Sequence, residues 1–294
     1  MTLKINFFGA SVTQQKDGYA WVFKNENPKV ECKIFGYGAN HISGAGICYL
    51  DDVLSNEPDF LVLDWFSTGY CKEENYLKIR EYIDAILRKT INAGVRPIFL
   101  FLPQESVPRM LYDQLIEYIS KFNVPVLDCD TKFNGRKDIL RDTVHTNELG
   151  SNLYANELKR YFEFKAINYP RKLFLPKVNK YCEIKKIDLN KEIYSKLIID
   201  GDAEVIGISQ TIGPYTGYVK IGSYLEKLWD RWCYYERNMM LLNFIVNGRT
   251  EIEVLQYEFD RSSTDKKIDW PTRKYLKLMT LYYSGERLEV SEIY

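Results

Sequence analysis

The sequence has few histidines, no net charge and no long apolar run. Its 294 residues include only two histidines, and 40 Lys and Arg residues balance 40 Asp and Glu residues. A net charge of zero means that the chain has no overall excess of positive charge to attract DNA, RNA or an anionic lipid surface. The apolar runs are far shorter than the roughly 20 residues that a transmembrane helix needs. We therefore predict neither a nucleic-acid partner nor a membrane span.

The six cysteines do not form a Cys-x-x-Cys pair, and the gaps between them are irregular. This spacing argues against a structural zinc site and against a dense disulfide framework. We interpret the cysteines as small buried apolar residues in a reducing compartment. Because no long apolar stretch follows Lys4, no signal peptide is predicted and we expect a cytoplasmic location.

The composition is that of a globular protein, with 46% hydrophobic and 27% charged residues. The length is compatible with one large domain or two ordinary ones. Aromatic residues reach 15%, which is high. Such residues fill protein cores, and they also stack on sugar rings, so both interpretations stay open.

Strand-like and helix-like segments alternate over the first half of the chain. Five apolar runs predict strands, and three segments have apolar residues at helical spacing. The strands are Leu3–Phe8, Val30–Phe35, Phe60–Phe66, Val95–Leu102 and Val124–Asp128, and the helices are Glu74–Ala93, Met110–Phe122 and Asn147–Phe162. This alternation predicts an α/β domain with a doubly wound, five-stranded parallel sheet. Its active site is expected beyond the carboxyl ends of the strands.

The second half has a different pattern, in which short strand-like runs are separated by glycine-rich turns. Asn247–Gly248 lies between two such runs and is typical of a hairpin turn. The one possible helix is Tyr224–Arg231. We predict an α/β domain over residues 1–167 and a β-sandwich over residues 168–294.

Imidazole chemistry in this chain depends on His41 or His145. Asp142 stands three residues before His145, so its carboxylate can accept the Nδ1 hydrogen and leave Nε2 free as a base. An alternative is a solvated Asp and a surface His in front of a helix.

Two further loops follow predicted strands. Ser11 comes directly after the first strand, where it is either a nucleophile or the N-cap of a helix. The second strand leads into Gly36–His41, whose glycines expose backbone N–H groups and whose Asn40 adds an amide donor. The spacing of these glycines fits neither dinucleotide-binding nor Walker motifs.

In this order the segments resemble the motifs of the SGNH/GDSL hydrolase family. The first motif corresponds to Gly9–Ser11, the glycine of the second to Gly38, and the final Asp-x-x-His to Asp142–His145. The resemblance covers residues 3–162. It implies that Ser11 is the nucleophile, His145 the base and Asp142 the residue that orients it.

Two positions depart from the family pattern. Ala10 replaces the Asp of the first motif, whose role in the family is mainly structural. Where the third motif has an Asn that stabilises the oxyanion, this sequence has Thr68, or Ser67 after a slip of one residue. The predicted oxyanion hole therefore consists of the Ser11 and Gly38 N–H groups with Thr68 or Asn40.

The resemblance implies an ester hydrolase or O-acyltransferase that needs no cofactor and no metal. The family often acts on acetylated carbohydrates, so we expect an acylated carbohydrate or another small ester as substrate. We place His41, Trp65 and Tyr37 among the substrate-binding residues. The aromatic and charged stretch Trp229–Arg237 suggests a carbohydrate-binding second domain, or simply packing aromatics with paired charges. A catalytically weakened, glycan-binding scaffold is the alternative function, and no oligomeric state is predicted.

Overall fold

The computed structural model describes residues 2–133, 137–165, 168–230, 233–241, 243–256, 266 and 271–293. The chain divides into two compact units, Met1–Cys182 and Glu183–Tyr294. The first unit therefore includes residues 168–182, which the sequence pattern places in the second domain.

Within the described residues of the first unit, five strands form one parallel sheet in the order β2-β1-β3-β4-β5. They are β1 (Lys4–Gly9), β2 (Glu31–Gly36), β3 (Phe60–Asp64), β4 (Arg96–Phe101) and β5 (Val126–Asp128). All five residues of β3 are buried, as expected for a central strand covered on both faces. The predicted parallel sheet is confirmed.

Helices cover the sheet on both faces. They are α1 (Ser11–Gln14), α2 (Tyr19–Glu26), α3 (Leu50–Leu54), α4 (Tyr76–Asn92), α5 (Arg109–Ser120), α6 (Cys129–Lys132) and α7 (Glu148–Arg160). Side chains of α2 and α7 share a core with alternate residues of the strands, including Phe7 and Val62. On the opposite face, the ring of Phe101 meets Tyr112 of α5 edge-on at 5.1 Å. None of the helices in the described ranges is long and apolar enough to cross a membrane.

In the described part of the second unit, seven strands form one antiparallel sheet in the order β6-β12-β7-β11-β8-β9, with β10 also paired to β7. They are β6 (Lys185–Ile193), β7 (Lys196–Ile212), β8 (Tyr218–Ile221), β9 (Tyr224–Lys227), β10 (Arg237–Leu241), β11 (Phe244–Leu255) and β12 (Leu276–Ile293). The antiparallel β domain that the predicted β-sandwich requires is confirmed, and its described strands form one hydrogen-bonded sheet where the sequence pattern predicts the two packed sheets of a sandwich.

Two local predictions in this unit are wrong. Asn247 and Gly248 do not form a hairpin turn, because β11 continues through them and Gly248 pairs with Gly201 of β7. Strand β12 pairs with the other edge of β7, and it is irregular between Gly285 and Leu288, where Leu288 pairs with the same Gly201. The glycines therefore accommodate a distortion that crosses three strands, and no reversal of the chain occurs. The possible helix at 224–231 is strand β9 over Tyr224–Lys227, and residue 231 lies outside the described residues.

Candidate active site

The first three strands end at the same level, beside the point where the strand order reverses. Gly9 at the end of β1 is paired with Gly36 at the end of β2 and with Asp64 at the end of β3. The crevice at such a reversal is where open parallel sheets bind their ligands. The loops that follow β1, β2 and β3 are therefore brought together by the sheet itself.

Ser11 begins α1 immediately after β1. The preceding Ala10 N–H donates to the carbonyl oxygen of Asp64 at 3.1 Å, which holds the turn against β3. Ser11 is half-buried, and its own backbone N–H has no partner among the described residues. The serine hydroxyl and one unpaired N–H are thus presented at the carboxyl edge of the sheet.

His145 lies in a tight loop between β5 and α7. Arg141 N–H donates to the carbonyl oxygen of His145 at 2.9 Å, and Leu140 bridges to Thr146, so the loop is closed at its base. Oδ1 of Asp142 accepts the backbone N–H groups of Val144 and His145 at 2.9 and 2.7 Å. These bonds fix the carboxylate and the imidazole of the same loop relative to each other.

Two hydrogen bonds connect the three side chains predicted to act together. Nε2 of His145 lies 2.9 Å from Oγ of Ser11, and Nδ1 lies 2.8 Å from Oδ2 of Asp142. Partial burial opposes ionisation of Asp142, but the bonds from the loop outweigh it and lower its pKa to about 2. An ionised carboxylate only accepts, so Nδ1 carries the hydrogen and Nε2 can accept from Ser11.

Gly38 is close to Ser11, but its N–H already has a partner. A Cβ atom added at Gly38 would lie 3.9 Å from Cβ of Ser11. The Gly38 N–H donates to Oε1 of Gln14 at 2.8 Å. The other two predicted oxyanion donors also bond within their own loops: Asn40 Nδ2 donates to the Gly38 carbonyl at 2.9 Å, and Thr68 Oγ1 to the Trp65 carbonyl at 3.3 Å.

The predicted substrate-binding residues have different environments. Trp65 is 1% exposed, and its ring packs edge-on against that of Phe8 at 4.9 Å, so it belongs to the core of this structure and its contact with substrate stays a prediction. His41 stacks on Tyr70 at 5.4 Å. Tyr37 is half-buried, with its ring edge-on to that of Phe8.

Asp64 is a buried carboxylate behind the serine turn that the sequence analysis missed. It accepts hydrogen bonds from Ser67 Oγ at 2.8 Å and from Thr13 Oγ1 of α1 at 3.2 Å. Burial raises the pKa of Asp64 to about 6, although these two hydrogen bonds oppose the shift. The position could have been noticed, since it is the single charge in the apolar run Phe60–Phe66.

Gln14 and Gln15 were also missed, because the hydrogen bonds that they make join segments far apart in sequence. Nε2 of Gln15 donates to the carbonyl oxygen of Thr146 at 2.8 Å. A signal was the position of the two amide side chains three and four residues after the candidate nucleophile Ser11. The described residues include no cluster of three or more His, Cys, Asp or Glu side chains placed to hold a metal.

No family model matches the sequence, and no curated protein matches it. Two solved structures of a two-domain esterase (CEX) active on acetylated mannans are similar to this chain, at 12% identity. The structure co-crystallized with mannopentaose aligns over 97% of this chain and 91% of its own, with a TM-score of 0.67. The other aligns over 98% and 92%, with a TM-score of 0.64. An acetyl xylan esterase, AlAXEase, aligns over 53% and 98% at 20% identity, with a TM-score of 0.45.

The likeness to the two-domain esterase shows that this chain shares its fold over nearly the whole length. Both parts are included, the five-stranded parallel sheet with its helices and the antiparallel sheet that follows. This is the fold that the SGNH/GDSL resemblance implies for the first half, so that expectation is confirmed.

Proposed function

We propose that this protein is a serine esterase that removes an acyl group, such as acetyl, from a carbohydrate. The observation that carries the proposal is the pair of hydrogen bonds from Ser11 Oγ to His145 Nε2 at 2.9 Å and from His145 Nδ1 to Asp142 Oδ2 at 2.8 Å. Nucleophile, base and orienting carboxylate are in contact at the sheet edge where ligands bind.

In the first half-reaction, Ser11 Oγ attacks the ester carbonyl carbon while its proton passes to Nε2 of His145. Asp142 accepts from Nδ1 and stabilises the imidazolium that forms. The tetrahedral oxyanion accepts a hydrogen bond from the Ser11 N–H. It also accepts one from the Gly38 N–H once that N–H is released from Gln14. The C–O bond to the sugar then breaks, Nε2 returns the proton to the sugar oxygen, and the acyl group stays on Ser11.

In the second half-reaction, a water molecule gives its proton to Nε2 and attacks the acyl carbon. The bond to Ser11 Oγ breaks, the proton returns to that oxygen, and the carboxylic acid leaves. If a sugar hydroxyl attacks in place of water, the same residues perform acyl transfer. The two outcomes differ in the acceptor that reaches the acyl carbon.

The fold supports a carbohydrate substrate. The two-domain esterase that shares it is active on acetylated mannans, and it was crystallized with mannopentaose. Fold alone does not fix a substrate, so the proposed class is an acylated carbohydrate rather than one polysaccharide.

The test compares wild type with Ser11→Ala and His145→Ala in turnover of p-nitrophenyl acetate and in acetate release from acetylated mannan. We expect both variants to lose at least about 10³-fold in kcat, because either change removes the acylation chemistry. Labelling with a fluorophosphonate followed by mass spectrometry should modify the peptide that contains Ser11 in wild type and in neither of these two variants.

Ser120→Ala is the matched control, because Ser120 is an exposed serine at the end of α5 whose hydroxyl, among the described residues, bonds only to the Glu117 carbonyl. Its turnover should equal that of wild type. Binding of mannan oligosaccharides with no turnover and no labelling of Ser11 would refute the esterase and favour the non-catalytic, glycan-binding scaffold.

A further inference from the structure

The Gln14 side chain occupies the Gly38 N–H, a donor of the proposed oxyanion hole, at an N–O distance of 2.8 Å. The contact depends on a close approach of two segments. A Cβ atom added at Gly36 would lie 2.3 Å from Cα of Gln14, so only glycine lets the end of β2 pass so near α1. Since the Gly38 N–H can only donate, the carbonyl end of the Gln14 amide must face it.

The side-chain oxygen of Gln14 and the carbonyl oxygen of an ester would compete to accept the hydrogen bond from the Gly38 N–H. Both are carbonyl oxygens, and one N–H forms one well-aligned hydrogen bond. Gly38 stands beside Ser11, since a Cβ atom added there would lie 3.9 Å from Cβ of Ser11. An acyl group attacked by Ser11 would therefore reach the Gly38 N–H only after Gln14 leaves it.

We propose that Gln14 is a gate on the oxyanion hole, closed in the free enzyme and displaced by the acyl group. The inference rests on the proposed esterase function. Gln14 is exposed, and among the described residues its side chain bonds only to Gly38. Opening therefore breaks a single hydrogen bond and moves a side chain into solvent.

The gate favours esters whose carbonyl oxygen reaches the Gly38 N–H, because only they replace the bond that is lost. The replacement becomes stronger as the reaction proceeds, since a hydrogen bond to a charged oxyanion is roughly twice as strong as one to a neutral carbonyl. An acyl group that stays outside the hole gains nothing from displacing Gln14. Gln14 would thus determine which esters are held in a reactive position.

The test measures kcat and KM for p-nitrophenyl acetate in Gln14→Ala, Gln14→Glu and the control Lys16→Ala. Removing the competitor should raise kcat/KM about threefold to tenfold, mainly through a lower KM, as expected for one hydrogen bond. A carboxylate at this position holds the N–H more tightly and repels the oxyanion, so kcat/KM should fall by about tenfold or more. Lys16 is exposed in the turn that follows α1, two residues after Gln14, and its replacement should change neither constant.

The closed state is measured separately, by NMR hydrogen exchange of the Gly38 amide in the enzyme without substrate. That exchange should be faster in Gln14→Ala than in wild type, because the N–H loses its acceptor. Equal exchange rates, or a kcat/KM that does not rise in Gln14→Ala, would overturn the gate. Turnover that persists in Ser11→Ala would instead refute the esterase itself, so the two failures are distinguishable.

Discussion

Nε2 of Gln15 donates to the carbonyl oxygen of Thr146 at 2.8 Å, which joins the turn of Ser11 to the loop of His145. The Gln15 backbone N–H also donates to the Ser11 carbonyl at 3.0 Å. Gln15 is 8% exposed and Thr146 is completely buried. One side chain therefore connects the nucleophile turn with the residue that follows the base, which makes Gln15 a positioning residue.

Replacing Gln15 by Leu should disturb the distance between Ser11 and His145 more than it disturbs substrate binding. We expect kcat to fall by roughly tenfold to a hundredfold with KM nearly unchanged, because small displacements of reacting groups are costly. The free energy of unfolding should fall by about 1–3 kcal/mol, since the buried Thr146 carbonyl loses its donor. Steady-state kinetics and urea unfolding measure the two effects.

Asn6→Leu is the matched control for Gln15→Leu. Nδ2 of Asn6 also donates to a backbone carbonyl, that of Val53, and Asn6 is 1% exposed, but it lies within β1 and away from the loops of the site. This variant should lose stability and keep kcat. An equal loss of kcat in both variants would assign the effect of Gln15 to general destabilisation.

Asp142→Asn should separate the charge of Asp142 from its role in shaping the loop. The remaining carbonyl oxygen can still accept the backbone N–H groups of Val144 and His145, which bond Oδ1 in the native loop. The new amide nitrogen faces Nδ1 as a donor, which favours the wrong imidazole tautomer. We expect kcat to fall by about 10⁴-fold with a small change in Tm near neutral pH.

The same variant should also change stability at acid pH. Because the folded-state pKa of Asp142 is lowered to about 2, its ionised form stabilises the fold above about pH 4, and this contribution is lost as pH falls toward 2. Unfolding curves of Asp142→Asn should lack that component. Identical pH dependence in both proteins, or retained turnover in the variant, would contradict the assigned role.

The sheet and the motif order could be predicted from the sequence, whereas the hydrogen bonds between loops could not. Buried parallel strands are apolar runs such as Phe60–Asp64, and an Asp three residues before a His reaches it within one loop. The contacts of Gln14 with Gly38 and of Gln15 with Thr146 join residues 24 and 131 positions apart. They exist only because the sheet aligns the ends of its strands.

Two local sequence patterns, at Trp65 and at Gly248, are ambiguous for similar physical reasons. An aromatic residue at the end of a strand packs a core or contacts a ligand according to which face it occupies, and Trp65 occupies the core side. Gly248 has a φ of +75°, which a turn uses and which a distorted strand also uses. The local sequence indicates that a positive φ is needed. The pairing with neighbouring strands determines whether that φ forms a turn or a distortion within a strand.

Asp64→Asn should remove a pH-dependent loss of stability. The folded-state pKa of Asp64 is raised from 3.8 to about 6, so the unfolded chain ionises first as pH rises. Stability due to the protonated group is complete below about pH 4 and is lost as pH rises through about 6. The loss is on the order of 3 kcal/mol, and urea unfolding from about pH 4 to 7 measures it.

In Asp64→Asn the same pH series should be flatter, because an amide does not ionise. Its carbonyl oxygen can still accept from Ser67 or Thr13, so the variant should fold. If the difference in unfolding free energy between wild type and the variant stays constant across this pH range, Asp64 is ionised in both the folded and the unfolded state. Burial would then cost the ionised carboxylate little free energy, which would contradict the raised pKa.

Gly285→Ala should destabilise the second unit far more than Gly248→Ala. Gly285 has a φ of +135°, and a Cβ atom there would lie 2.8 Å from Cα of Ala203 in the paired strand β7. The substitution combines a backbone conformation that only glycine favours with a contact against main chain, so we expect a loss of about 3 kcal/mol or more. Gly248 also has a positive φ, but its Cβ would meet open space, so its replacement should cost about 1 kcal/mol. Urea unfolding of the two variants separates the contribution of packing from that of backbone conformation. Equal losses of unfolding free energy in the two variants would mean that β7 and β12 can move apart at Gly285 to accommodate a Cβ atom. The distortion across the sheet would then be deformable rather than rigid.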